Sequence, residues 1–590
     1  MRRSLAGLLA PVLLALALAG CVSLPDSGAV QTRPDEGQVE GGDPIFDFNP
    51  SGPRQGSSPT EIVEDFLIAM EASPQSTAVA EQFLTADARA DWFPERSTLV
   101  YGARAVTARG ATVTTTLDDT DALDDRGGWL GETAGDAGVS YRLRLERERG
   151  QWRISNPPDA LVVPRSHFES RFQQYFVYYF DPAAEILVPQ PVYLPRGEVA
   201  PTLLVRTLLR GPGRSLQDVV RTFVPRGTEL EISVPVSDAG IAEVPLTEEF
   251  LTLGGDDLQM ALAQIAWTLR QVSGIESMRV TVGDSPLEIP GAGAPPSVTG
   301  WTEFDPSIHW ASQELFGLRD GSVVALGVEG DHGVEGRFGA QEYALRDIAV
   351  DLPAEQVAGV TEDGRSVVVA PRSRDPRTPP SPESTTVAYA GGTDLLRPAW
   401  DIHGQLWLLD RTPAGARLLV HRGGTVAEAE APGVTGQDVT AFAVSRDGSR
   451  LAAVVYGRDR DRLVLARVRR DESGAVQGVT PAATVPVAGV GRDDLRDVAW
   501  RTPGSLAVLT GPTPGSSKVV VALVDGSPDL TGEESAEVFD GRAVRLVASP
   551  SPGTPLYLGT SRGQLFELAT DGQWVGPRLR DPVTSPGYVG

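Results

Sequence analysis

One turn recurs through the second half of the chain, and its spacing restricts the architecture more than any other feature. Asp320-Gly321, Asp363-Gly364, His403-Gly404, Asp447-Gly448, Pro503-Gly504 and Pro552-Gly553 are each followed closely by an apolar, strand-like run. The intervals between these glycines are 43, 40, 44, 56 and 49 residues, the length of a four-stranded propeller blade. Val360, Trp400, Val444 and Trp500 stand just before four of the turns, where an inner strand would turn an apolar side chain toward the next blade. Residues 301–590 are therefore expected to form an all-β propeller of six to eight blades, one of them divergent or completed by another part of the chain. A pair of unrelated β-sandwiches is the competing reading, and it gives no reason for so regular a period.

Residues 168–290 read as a separate α+β unit. Phe176–Phe180 is an aromatic strand, and Pro201–Arg210 is a helix stopped by Gly211-Pro212-Gly213. Thr222–Thr228 leads into a strand expected to pair with Gly240–Val244. Leu258, Leu262, Ile265, Leu269 and Val272 then stripe one face of a second helix, and Ser277–Val282 closes a β-α-β-β-α-β order.

A smaller α+β domain is expected over residues 59–165. Ser58-Pro59-Thr60-Glu61 is a helix start, and Ile62, Val63, Phe66, Leu67 and Met70 follow at helical spacing to about Ala72. A second helical stretch spans about Thr77–Arg89 and leads to Trp92 and Phe93. Strands follow at Val113–Thr116, Tyr141–Leu145 and Gln151–Ile154. In outline this order resembles the cone-shaped domains of the nuclear-transport-factor type.

The N-terminus has the form of an export signal. Met1-Arg2-Arg3 precedes an apolar run from Leu5 to Leu18, which is too short to span a bilayer and ends in Leu18-Ala19-Gly20-Cys21. Cys21 is the single cysteine of 590 residues, and it stands where a bacterial lipobox requires it. Cleavage of residues 1–20 would leave Cys21 carrying an S-diacylglycerol group, with an N-palmitoyl group also expected, on the outer face of the cytoplasmic membrane. Residues 21–58, rich in Gly, Pro, Ser, Asp and Gln, are expected to be a flexible tether.

Charge and residue usage exclude several functions. The net charge of −26 becomes −28 once Arg2 and Arg3 leave with the signal, which disfavours nucleic acid as a partner. One cysteine forbids disulfides and thiolate zinc sites within the monomer. Only Lys518 among 52 basic residues is lysine, a bias of GC-rich genomes. His167, His309, His332, His403 and His421 are scattered, without the spacing that puts two imidazoles on one helical face. The acidic run Asp118–Asp125 lacks the glycine and terminal glutamate of a calcium loop and is expected to be a solvated loop. Gly515-Ser516-Ser517-Lys518 lacks the glycine spacing of a phosphate-binding loop. Gly559-Thr560-Ser561-Arg562-Gly563 has the spelling of a nucleophile elbow but lies between two β-like runs, so a hairpin turn is expected. No catalytic residue, metal site or cofactor is expected.

The aromatic strand, the helix ending Leu208-Leu209-Arg210-Gly211-Pro212, the run Pro225-Arg226-Gly227-Thr228 and the helix carrying Gln264, Thr268 and Leu269 together resemble a GerMN domain of sporulation and spore-germination proteins. Such a domain in an actinobacterial lipoprotein, followed by β-repeats, is similar to the LpqB lipoprotein family. The resemblance implies a non-catalytic accessory of the MtrA–MtrB two-component system. It would touch the sensor kinase ectodomain and act on cell-wall homeostasis and division. Two rivals stay open: a receptor for peptidoglycan or a small ligand, and a propeller hydrolase or lyase whose carboxylates and histidines would meet in the central channel.

Overall fold

The computed structural model describes residues 48–590 apart from 134–137, 284, 288–294, 309, 328–329, 341–342, 373–384, 491–493 and 531–536. Cys21 and the signal lie outside the described residues, as does His309. No helix among the described residues is long and apolar enough to cross a membrane. The end of the expected tether belongs to the folded part: Phe48 and Ser73 exchange backbone hydrogen bonds, and Gly56 donates to the Gln151 side chain.

The first domain starts with α1 (Pro59–Ala69), whose capping box is complete. The Ser58 hydroxyl accepts from Glu61 N–H and the Glu61 carboxylate accepts from Ser58 N–H. The single helix expected over Thr77–Arg89 is instead a 3₁₀ turn, Ala80–Phe83, followed by α2 (Ala86–Ala90). Thr85 breaks it, because its extended backbone and hydroxyl cap α2 by accepting from Ala88 N–H. A sheet of order β5-β4-β2-β1-β6 packs against α1, formed by β1 (Thr98–Arg109), β2 (Thr112–Leu123), β4 (Val139–Glu148), β5 (Gln151–Ile154) and β6 (Leu161–Pro164). A short β3 (Trp129–Glu132) flanks β2. The acidic run is no free loop: Asp118, Asp119 and Asp121 lie in β2, where Arg165 Nη2 reaches Asp119 O at 3.1 Å and Asp121 Oδ2 at 2.8 Å.

After α3 (Arg165–Arg171) the chain forms an antiparallel hairpin, β7 (Phe172–Phe180) and β8 (Leu187–Pro195). It continues with α4 (Ala200–Leu209), β9 (Ile241–Leu246), α5 (Gly255–Leu269), β10 (Ser277–Val282) and β11 (Ser285–Pro286). β9 and β10 pair in parallel across α5. The expected strand after Thr228 is only two isolated bridges, Leu230 to Leu246 and Val236 to Ala242. β8 is the unexpected element, since Pro189, Pro191 and Pro195 disguise it. Pro189 and Pro191 stand opposite Tyr178 and Phe176, whose amides turn away from β8 toward α5, so the missing proline N–H groups break no ladder bond.

Side chains of α5 and of the turn that follows it replace a strand on the free edge of β7. Gln271 accepts from Phe176 N–H and donates to Phe176 O, Thr268 accepts from Tyr178 N–H, and Gln264 donates to Tyr178 O at 2.9 Å. Gln264 also accepts from Phe223 N–H at 2.8 Å and is fully buried. It thereby joins helix, strand and the segment that enters the next loop.

Six sheets form the propeller among the described residues. The first blade takes β12 (Leu315–Arg319), β13 (Ser322–Leu326) and β14 (His332–Gly333), with β35 (Thr584–Gly587) as its innermost strand. The second is β15 (Leu345–Val350), β16 (Gln356–Thr361), β17 (Ser366–Pro371) and β18 (Thr386–Ala390). The third is β19 (Ala399–Trp400), β20 (Leu406–Thr412), β21 (Gly415–Arg422) and β22 (Thr425–Ala429). The fourth is β23 (Val439–Val444), β24 (Arg450–Val455), β25 (Arg462–Arg470) and β26 (Val476–Val479), with β27 (Ala483–Val485) also on β25. The fifth is β28 (Asp494–Thr502), β29 (Ser505–Gly511) and β30 (Lys518–Leu523). The sixth is β31 (Ala543–Val547), β32 (Tyr557–Thr560), β33 (Leu565–Leu568) and β34 (Trp574–Val575).

The inner strands touch in the circular order β35, β15, β19, β23, β28, β31 and back to β35. A late strand thus completes the first blade and leaves no open seam in the ring. The turns at Gly404, Gly448, Gly504 and Gly553 join inner to second strands, whereas those at Gly321 and Gly364 join second to third. Val360 consequently lies on β16, while Trp400 and Val444 end inner strands and Trp500 stands two residues before the end of β28. Gly559–Gly563 is the β32–β33 hairpin, with Gly563 N–H donating to Thr560 O.

Candidate functional site

All six inner strands line a cavity of about 290 Å³ on the propeller axis. Their sequences fall into one register: Asp347-Ile-Ala-Val350, Arg397-Pro-Ala-Trp400, Ala441-Phe-Ala-Val444, Asp497-Val-Ala-Trp500, Arg545-Leu-Val-Ala548 and Ser585-Pro-Gly-Tyr588. The first residues of five of these runs line the cavity, and Ser585 of the sixth bonds to Asp347 beside it. Read around the channel, these residues are Asp347, Arg397, Ala441, Asp497, Arg545 and Ser585, an acid, a base and a small residue repeated twice.

The two halves of this ring differ. Arg545 reaches across Ser585 to Asp347, with Nη2 2.7 Å from Oδ1, and the Ser585 hydroxyl donates to the same carboxylate oxygen at 2.8 Å. The corresponding pair, Arg397 and Asp497 on either side of Ala441, is not closed. Arg397 donates to Pro586 O at 3.0 Å and, among the described residues, has no carboxylate within ion-pair distance. Asp497 accepts from Val498 N–H at 3.0 Å and Leu546 N–H at 2.8 Å. Burial, and then the neighbouring Arg545 charge, hold Arg397 down to about 10, and burial pushes the Asp497 carboxyl above its usual range.

Arg446 closes one end of the channel. It is 5% exposed and donates to Ser551 Oγ at 2.7 Å, Ser549 Oγ at 3.1 Å and Val589 O at 3.0 Å. These bonds join the fourth blade to the sixth and to the end of the closing strand. Its Nε has no partner, and burial lowers it to about 10.

The same end of the propeller receives the β7–β8 hairpin. Arg450, fully buried beside Asp447, donates to Pro189 O on the outer edge of β8. Tyr193 of β8 shares a hydrogen bond with Ser527, and Ile186 joins the apolar core of blades one and two. His403 enters between Asp181 and Glu185, with Nε2 3.5 Å from Asp181 Oδ2 and Nδ1 3.2 Å from Glu185 Oε2. The Asp181 carboxylate also accepts from the backbone amides of Ala183, Glu185 and Ile186. The first domain caps the remaining edge of β8, where Tyr193 N–H donates to Gly127 O at 2.7 Å.

Residues 52–169 match the family described as "Lipoprotein LpqB, N-terminal domain", 176–288 match "Sporulation and spore germination", and 321–578 match "Lipoprotein LpqB beta-propeller domain". The chain belongs to the LpqB lipoprotein family. Relatives named Lipoprotein LpqB cover almost its whole length. One from Thermobifida fusca is 27% identical over 98% of this chain and 97% of its own. One from Streptomyces coelicolor is 28% identical over 97% and 96%, and one from Streptomyces avermitilis 29% over 98% and 97%. Membership in the LpqB family agrees with the lipoprotein reading of the leader, and these relatives are named as lipoproteins rather than as enzymes.

In this LpqB-family chain the histidines among the described residues do not converge. His167 sits on α3 with its pKa lowered to about 4 by burial and Arg171, His332 is exposed on β14, His421 is on β21, and His403 is in the hairpin contact. No group of three or more His, Cys, Asp or Glu among the described residues is placed to hold a metal ion. The channel ring was missed by sequence reasoning because no single residue type marks it. The usable signal was a charged residue three positions before the apolar end of an inner strand, seen in Asp347, Arg397 and Asp497.

Proposed function

We propose that this chain works by binding, as an exported, lipid-anchored accessory of a sensor histidine kinase of the MtrA–MtrB type, and so affects cell-wall homeostasis and division. The observation that carries the reading is the family match through all three modules in one order, over nearly the full length of chain and relatives. A lipid on Cys21 would confine the chain to the kinase's own membrane and raise its effective concentration there. A weak contact then stays occupied, and it shifts the kinase equilibrium to the extent that it binds one kinase state better than the other. The docked hairpin supports this use: it is bonded to both the first domain and the propeller, so a contact on one module bears on the others through it.

The test is a proteoliposome carrying the full-length kinase, given either the lipidated chain or Cys21→Ala at equal concentration. The proposal expects a change in autophosphorylation at least tenfold more potent with the lipidated form. No change with either form would overturn it, and binding to purified wall instead would favour the peptidoglycan-receptor reading.

A further inference from the structure

The open half of the channel ring has the chemistry of a ligand site. Asp347 and Arg545 show what the repeated acid, base and small residue do when the pair is closed: the guanidinium crosses the small residue and ends on the carboxylate. Across Ala441 the same three residue types leave Arg397 and Asp497 apart, each held by backbone groups alone. Arg397 and Asp497 are satisfied by backbone groups but neither has an ion-pair contact, with Asp347 and Arg545 the nearest opposite charges, so a ligand carrying both charges would gain a direct pair at each. The cavity of about 290 Å³ admits a molecule of several heavy atoms. Arg545 and Asp347, with 27% and 17% side-chain exposure, show that solvent reaches this level of the channel.

We propose that the propeller channel binds a small zwitterion of the amino-acid or short-peptide class, its carboxylate on Arg397 and its ammonium on Asp497. The carboxylate accepts two N–H bonds from the guanidinium plane, and the ammonium occupies the gap over Ala441 that Arg397 does not cross. Ala441 matters by being small, since a longer side chain would fill that gap. Arg446 forms the polar floor beneath, held by Ser549, Ser551 and Val589 O. The site is independent of the kinase contact, and either reading can fail without the other.

The test is titration calorimetry on the mature full chain carrying Cys21→Ala, with the twenty amino acids and glycylglycine as zwitterions, and acetate and methylammonium as single-charge controls. The proposal expects heat from at least one zwitterion and none from either control at the same concentration. Affinity should fall at least tenfold in Arg397→Gln and in Asp497→Asn, with unchanged far-ultraviolet circular dichroism. A wild-type crystal soaked in the tightest zwitterion should show its carboxylate on Arg397, a result that does not depend on any variant folding. Acetate binding as tightly as the zwitterion, a soaked ligand away from Arg397, or no heat from the whole panel would each overturn the proposal.

Discussion

His403, on the turn between the inner and second strands of the third blade, places Nε2 3.5 Å from Oδ2 of Asp181, on the turn of the β7–β8 hairpin, and both side chains are almost fully buried. Burial first, and then the Arg470 charge, lower the imidazole below its ordinary value, while burial raises the Asp181 carboxyl. The two shifts act in opposite directions on stability. A histidine with a lowered folded pKa binds fewer protons than the unfolded chain, so its contribution is present above about pH 6.5 and is lost as pH falls toward its folded value. A carboxyl with a raised folded pKa costs stability as pH climbs above about 4. As pH falls through the ordinary imidazole range the lowered imidazoles, His403 together with His167 and His421, each lose their contribution, and the melting temperature of the chain should fall. His403→Gln should flatten that slope, as read by differential scanning calorimetry at constant ionic strength.

Asp181 does more than face the imidazole. Asp181→Ala leaves the buried amide of Ile186 and the part-buried amides of Ala183 and Glu185 without their acceptor and should cost about 2 kcal/mol. Asp181→Asn keeps one oxygen acceptor and should cost about half as much. Urea unfolding of both variants checks the ranking.

Gly127 joins the first domain to β8 under two constraints. Its φ is +78°, and a Cβ there would lie 2.6 Å from Tyr193 O. Gly127→Ala should therefore destabilise the junction by about 2 kcal/mol or more and admit protease between the domains. Limited trypsin digestion reads this out, with cleavage after Arg126, which is partly buried at the intact junction, expected to accelerate in the variant.

Gln264 is the clearest internal test of the second domain. Gln264→Leu keeps the volume but leaves Phe223 N–H and Tyr178 O unpaired, which should cost about 2–4 kcal/mol. Hydrogen exchange at the Phe223 amide should accelerate more than at amides of the propeller.

Much of this architecture is legible before any coordinates. Ser58 and Glu61 announce α1 because a capping box is a local interaction, and Trp400, Val444 and Trp500 mark inner strands because their burial follows from strand alternation. The failures have local causes too. β8 is hidden because its prolines lie on an edge that another domain covers, which no local rule can anticipate. Asp363-Gly364 resembles the other turns because any tight hairpin needs a left-handed residue, and Gly364 supplies φ +70° one strand later than expected. The channel ring needs the register of six separated strands, so Asp347, Arg397, Asp497 and Arg545 become neighbours only after closure by β35. Cys21 is the reverse case, since its proposed lipidation rests wholly on its sequence context.

Crosslinking in an actinobacterial host expressing either the native chain or Cys21→Ala tests the proposed lipid-anchored contact with a sensor kinase most directly. The prediction is capture of one histidine-kinase ectodomain by the native chain and much less by the variant. Capture of wall fragments alone, or of the same proteins by both forms, would contradict it.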